Sequence, residues 1–221
     1  MTITAQDAER ALNEAAMTER KTKLYTSLKG YDWISYLWGG IWVVGFVVQH
    51  VLSRQDIVLR LGRVSVSGAG VFWIPLVILG VVTGAVIMSR AAPIRSERDR
   101  ELGKAIGFTW LSLYVFMGFW VFLVSAGAQG PLFVGEAGER IVTAIYATIP
   151  MFALLIMGLF GCGRLLILEA VFITVMTAVG LFAAGEWFYL YMAIAGGGTQ
   201  LAMGAAVQMT LRRESWKNTT E

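Results

Sequence analysis

Charged residues are scarce: Asp, Glu, Lys and Arg make up 15% of the 221 residues, against roughly 25% in a soluble domain. So few charges cannot coat a water-exposed globule. Cysteine and histidine are scarcer still. Cys162 alone rules out an intrachain disulfide, and His50 alone rules out a bis-histidine haem or a His-rich zinc site, so no cofactor and no metal is expected. Also missing are H-E-x-x-H, Walker and G-x-S-x-G patterns. Neither a serine nor the cysteine has the His/Asp company that nucleophilic catalysis needs, so no catalytic residue is assigned and the sequence argues against an enzyme. What is abundant is apolar: 57% of residues are hydrophobic and 12% aromatic, with a mean hydropathy of +0.65. This is the composition of an integral membrane protein, and the apolar runs leave no room for a second globular domain.

The net charge of +3 does not point to nucleic acid, because the basic residues stand in short clusters between apolar runs, where they act as a topology signal. Residues 1–29 are polar, carry Arg10, Arg20, Lys21, Lys23 and Lys29, and lack the cleavage pattern of a secretory signal. Thr4 with Asp7 three residues on resembles a capping box, and Leu12, Ala15, Ala16, Leu24 and Leu28 fall at loosely helical spacing. This predicts a cytoplasmic amphipathic leader helix lying on the membrane or a partner; a plain solvated leader fits the same residues.

A spanning helix needs about 20 predominantly apolar residues. Six stretches qualify, 31–52, 69–89, 105–126, 141–161, 164–184 and 187–210. The expected fold is therefore all-α, with six transmembrane helices in three hairpins filling 30–211 between the leader and a cytoplasmic tail, 212–221. The softest boundaries are the tight turns at Gly161–Arg164 and Gly185–Glu186; if either is not a real re-entry, the count falls to five. With both termini inside, 14 of the 18 Lys and Arg residues lie on the cytoplasmic side, as the positive-inside rule requires. Arg54, Arg60 and Arg63 make the first external loop unusually basic, and its apolar residues allow it to lie flat at the interface.

Trp33-Ile34-Ser35 recurs as Trp110-Leu111-Ser112, Gly40-Ile41-Trp42-Val43 as Gly118-Phe119-Trp120-Val121, and Ile74-Pro75 as Ile149-Pro150. The similar offsets read as related hairpins or as chance in an apolar alphabet. Counting back about 15 residues from Arg90, Arg164 and Arg212 reaches Pro75, Pro150 and the run around Gly197, about 22 Å from the cytoplasmic end. Breakers at one depth predict either a cavity opening toward the outer face or ordinary kinks.

Gly198, Ala202 and Ala206 recur every fourth residue and predict a close helix-packing face, within the chain or between protomers of a homo-oligomer. Trp42, too deep for an interfacial belt, lines either the core or a ligand pocket. His50 and Gln49 fall at the outer end of the first span, where a lone histidine reads as an interfacial hydrogen-bonding residue. Glu169, five residues into a span, needs a partner, for which Arg164 is the candidate.

The segment Tyr36-Leu37-Trp38-Gly39-Gly40-Ile41-Trp42-Val43-Val44-Gly45, together with Ala193-Ile194-Ala195-Gly196-Gly197-Gly198 running into Arg212-Arg213, resembles a loose set of small bacterial inner-membrane proteins of unknown function. The resemblance covers both ends better than the middle. It implies a bacterial cytoplasmic membrane location and no particular activity. The expected role is interaction or regulation, through a membrane or cytoplasmic protein partner, by way of the leader, the charged 90–104 loop and the tail. A small-solute or proton-coupled transporter using Glu169 and a cavity near Pro75, Pro150 and Gly197 is the alternative.

Overall fold

The computed structural model describes residues 4–28, 30–55, 58–61, 64–91, 97, 101, 104, 107–108, 111–120, 136–159 and 164–217. Helix α1 (Ala5–Leu28) opens on a reciprocal cap. The backbone N–H of Asp7 donates to the Thr4 hydroxyl (3.2 Å), while the Thr4 N–H and hydroxyl donate to the Asp7 carboxylate (3.2 and 2.5 Å). These bonds hold the Asp7 carboxyl below its ordinary range. Gly30, at φ 88°, then turns the chain into α2 (Tyr31–Ser53) through a left-handed conformation that suits glycine.

After α2 comes an antiparallel hairpin, β1 (Val58–Leu61) and β2 (Val64–Ser67), where the sequence allowed a flat interfacial loop. Helix α3 (Gly68–Ala91) carries Pro75 inside it, and α5 (Glu136–Met157) carries Pro150. Between them lies α4 (Leu111–Trp120), a ten-residue apolar helix. Helix α6 (Arg164–Ala183) ends at Gly185, whose φ of +53° again suits glycine. A short 3-10 turn (Gly185–Trp187), α7 (Phe188–Met192), a π-helical stretch (Ala193–Gly198) and α8 (Thr199–Lys217) complete the chain.

Five helices are long and apolar enough to cross a membrane: Tyr31–Ser53, Val71–Arg90, Ala137–Met157, Arg164–Ala183 and the composite Gly185–Arg212. They match five of the six expected spans. The turn before Gly185 separates two distinct helices, since Tyr191 of the returning helix lies directly over Gly180 of α6. The remaining expected span, 105–126, is described over α4, and its continuation after Trp120 lies outside the described residues. So do most of the 90–104 loop and the end of the tail.

Helix α2 is the axis of the bundle. It packs on α3, α7, the π-helical stretch and α8, while α5 and α6 form the other close pair. The contact with the last span is backbone to backbone. A Cβ on Gly39 would come within 2.9 Å of the Leu201 backbone nitrogen, and one on Gly197 within 3.0 Å of the Gly39 carbonyl oxygen. Gly204 likewise sits against the Asp32 carbonyl and the Tyr36 ring.

The face at Gly198, Ala202 and Ala206 is therefore not the packing contact within the chain, which leaves for it the other expected reading, a contact between protomers. A Cβ on Gly198 would meet nothing within 4 Å, Ala202 is exposed and Ala206 only half-buried. The buried line runs instead through Ala193, Gly196, Gly197, Gln200, Gly204 and Val207. A four-residue spacing of small side chains permits close approach but does not choose the face. The large side chains of α2 choose it: Trp42 needs Gly196, Val43 needs Gly197 and Tyr36 needs Gly204.

Candidate functional site

Glu169 is the most deeply buried carboxylate among the described residues, 2% exposed. It stands about 7.5 Å along α6 from Arg164, at 1.5 Å per residue. Its partner is not Arg164. The Tyr31 hydroxyl, at the start of α2, donates to its Oε2 at 2.7 Å, and Arg164 is exposed. Helix geometry is the reason: five residues rotate the side-chain direction by about 500°, which leaves the two about 140° apart around the helix. The expected Glu169–Arg164 pair is replaced by a carboxylate–phenol bond across two helices.

Around this bond the bundle leaves a small pocket of about 30 Å³, which is room for one or two waters. Ser35, one turn above Tyr31 on α2, lines it, and among the described residues no well-formed hydrogen bond satisfies its buried hydroxyl. Gln200 of α8, 5% exposed, lines the opposite wall. Tyr114 of α4 and the rings of Trp38 and Trp42 close the remaining sides, with Pro150 below them. Trp42 is 5% exposed and packs edge-on to Phe46, with ring centres 5.5 Å apart. It stands in the core and also borders this pocket.

The breaker residues do not share one cavity. Pro150 is buried and borders the pocket, but Pro75 is exposed on the outer surface of α3. Gly197 is filled by Val43 and the Gly39 backbone and stands in a helix contact. Equal depth along each helix says nothing about direction around it, and the three residues point different ways. The expected cavity near Pro75, Pro150 and Gly197 is corrected to one bordered by Pro150 alone of the three.

A second polar cluster ties the other end of the bundle. Gln49 of α2 accepts the Trp73 indole N–H at 2.7 Å through its carbonyl and donates through its amide to the Thr143 hydroxyl at 2.9 Å, joining α2, α3 and α5. Beside it, His50 stacks on Trp187 with ring centres 5.6 Å apart. Arg54 lies over the same indole at 5.4 Å and pairs with Glu186 at 3.7 Å. The Gln49 bonds join three helix ends, and the Arg54–Glu186 pair, with both side chains exposed, contributes little.

Sequence reasoning missed Tyr31 and Gln49 as the centres of these two clusters. Tyr31 and Trp73 read as interfacial aromatics, yet both turn inward to a polar partner. Their contacts join residues 138 and 24 positions apart, which no local pattern announces. Glu169 itself was visible, as the carboxylate set inside an apolar run. Cys162 lies outside the described residues. Comparison with protein families, curated proteins and solved structures finds nothing that matches this chain.

Proposed function

We propose that the protein is a six-span component of a bacterial inner membrane, with both termini cytoplasmic, acting through protein contacts as an interaction or regulatory subunit. The direction of the helices supports the sixth crossing. Tyr31 at the start of α2 meets Glu169 near the start of α6, and Tyr36 meets Gln208 near the end of the composite span Gly185–Arg212, so these termini share one end of the bundle. Gln49, near the end of α2, meets Trp73 near the start of α3 and Thr143 near the start of α5. Helix α3 therefore returns toward the first end while α5 starts from the second. A sixth crossing by the chain between them fits this arrangement, and it is supported by α4, whose Tyr114 stacks on Tyr146 of α5 at 6.2 Å. Exposed Arg90, Arg164 and Arg212 then all stand at the end bearing the termini, in line with a cytoplasmic face.

The observation that carries the interaction reading is the contrast between interior and exterior. The pocket beside Glu169 holds about 30 Å³, too little for an organic solute, and the larger cavity of about 510 Å³ between α4, α5 and α6 is lined almost wholly by apolar side chains, whereas α1 stands outside the bundle with Leu12 and Met17 exposed at 71% and 59%. A photoreactive residue at Leu12 should give a discrete cross-link to a protein in cells, and one at Glu14, on the opposite face of α1, should not. Cross-linking from Leu12 to lipid alone would contradict the reading. The burial of Glu169 in a largely apolar pocket that Ser35 and Gln200 also line favours the second reading, proton-coupled transport. It would be supported by a proton flux in proteoliposomes that Glu169→Gln abolishes while the variant still folds.

A further inference from the structure

We propose that the pocket beside Glu169 binds one sodium ion. Three features of the pocket converge on that ligand. First, the carboxylate is 2% exposed and the walls are otherwise neutral: among the described residues no Lys, Arg or His lines the pocket. A charge held in apolar surroundings is costly unless a counter-charge reaches it, and Arg164 is turned away. Second, Ser35 is 3% exposed and lines the pocket beside Tyr31, and among the described residues no well-formed hydrogen bond satisfies its hydroxyl. Buried hydroxyls are almost always bonded, so one held only loosely by Tyr31 beside an uncompensated carboxylate has a lone pair to offer a ligand. Third, the available donors are all oxygen: the Glu169 carboxylate, the Ser35 and Tyr31 hydroxyls and the Gln200 amide carbonyl. Hard cations take oxygen ligands, and soft or nitrogen-seeking metals have nothing here to hold them.

Size and charge narrow the choice. One carboxylate neutralises one positive charge, which favours a monovalent over a divalent ion. A volume of about 30 Å³ takes a sodium ion with at most one water. A proton would also neutralise Glu169, and the dependence on sodium at constant pH separates the two. The Tyr31 hydroxyl keeps its own proton, which it donates to Oε2, and so orients the carboxylate with Oε1 left for the ion. The site lies between α2, α6 and α8, so an ion bound there ties the three helices together whether or not the protein also moves ions across the membrane.

Thermal unfolding of the full-length protein in detergent tests this, with NaCl replaced stepwise by N-methylglucamine chloride or KCl at constant ionic strength and pH. Sodium should raise the midpoint saturably, because a ligand that binds only the folded state stabilises it by mass action. Potassium should require a higher concentration. Glu169→Gln should abolish the sodium effect and Ser35→Ala should shift it to at least about tenfold higher sodium, the factor that corresponds to losing one modest ligand contact. If Glu169→Gln does not fold, equilibrium dialysis of radioactive sodium against wild type and Ser35→Ala decides, with one ion per wild-type chain expected. Identical midpoints in all three salts, or stabilisation that follows acidification and not sodium, would overturn the proposal.

Discussion

Gly39→Leu should prevent the bundle from forming. At this position the last span approaches α2 so closely that even a Cβ would stand 2.9 Å from a backbone nitrogen and 2.8 Å from the Leu201 side chain. Side chains can swing aside, but a helix backbone can yield only by moving the helix. Overpacking where side chains can adjust costs about 1–3 kcal/mol, and moving a helix that also carries Gly197 and Gly204 against α2 should cost at least the upper end of that range. Within a membrane the lost term is chiefly van der Waals contact, since lipid tails are as apolar as the core. Gly198→Leu is the paired control: one residue along, a Cβ meets nothing within 4 Å, and the variant should express and melt like wild type. Size-exclusion profiles and melting in detergent distinguish the two. The opposite order of effects would mean that the four-residue stripe of small residues, and not the line through Gly197 and Gly204, makes the contact.

Tyr31→Phe should be nearly as damaging, although it removes one oxygen atom. The phenol donates the 2.7 Å bond to Glu169, and a hydrogen bond to a charged group contributes about 1.5–3 kcal/mol. Deleting the donor strands the carboxylate, whereas deleting both partners strands nothing. Tyr31→Phe combined with Glu169→Leu should therefore cost less than the two single changes added together, the sign of direct coupling. Arg164→Gln should be close to neutral and should not couple to Glu169→Gln, because Arg164 is exposed. Glu169→Lys places a like-sized cation in a pocket with no acceptor charge and should fail to insert or fold. Additive losses from Tyr31→Phe and Glu169→Leu would show that the phenol and the carboxylate do not stabilise each other.

The spans were legible because each rests on a local property, namely length and apolarity. Burial direction was not, because it depends on neighbours. Glu169 could be recognised as misplaced in an apolar run, but its partner could not, since Tyr31 is 138 residues away and resembles any aromatic at a membrane interface. Arg164 was attractive only through nearness in sequence, which a helix converts into opposite faces. The same blindness misplaced the glycine contact. Gly198, Ala202 and Ala206 form the more regular pattern, yet the irregular set around Gly197 meets Trp42, Val43 and Tyr36. Pro75 and Pro150 looked equivalent by depth, and one is exposed while the other is buried. The hairpin at 58–67 is a departure of another kind: the segment is rich in β-branched residues, Val58, Val64 and Val66, which favour strand pairing over a flat apolar loop.

Reporter fusions that report the side of the membrane, placed after Arg98, Gly135 and Glu221, test six crossings most directly. Fusions at Arg98 and Glu221 should both report the cytoplasm, and the fusion at Gly135 should report the opposite side. A Gly135 fusion that agrees with Arg98 would mean that the chain between α3 and α5 does not cross, and would contradict the account.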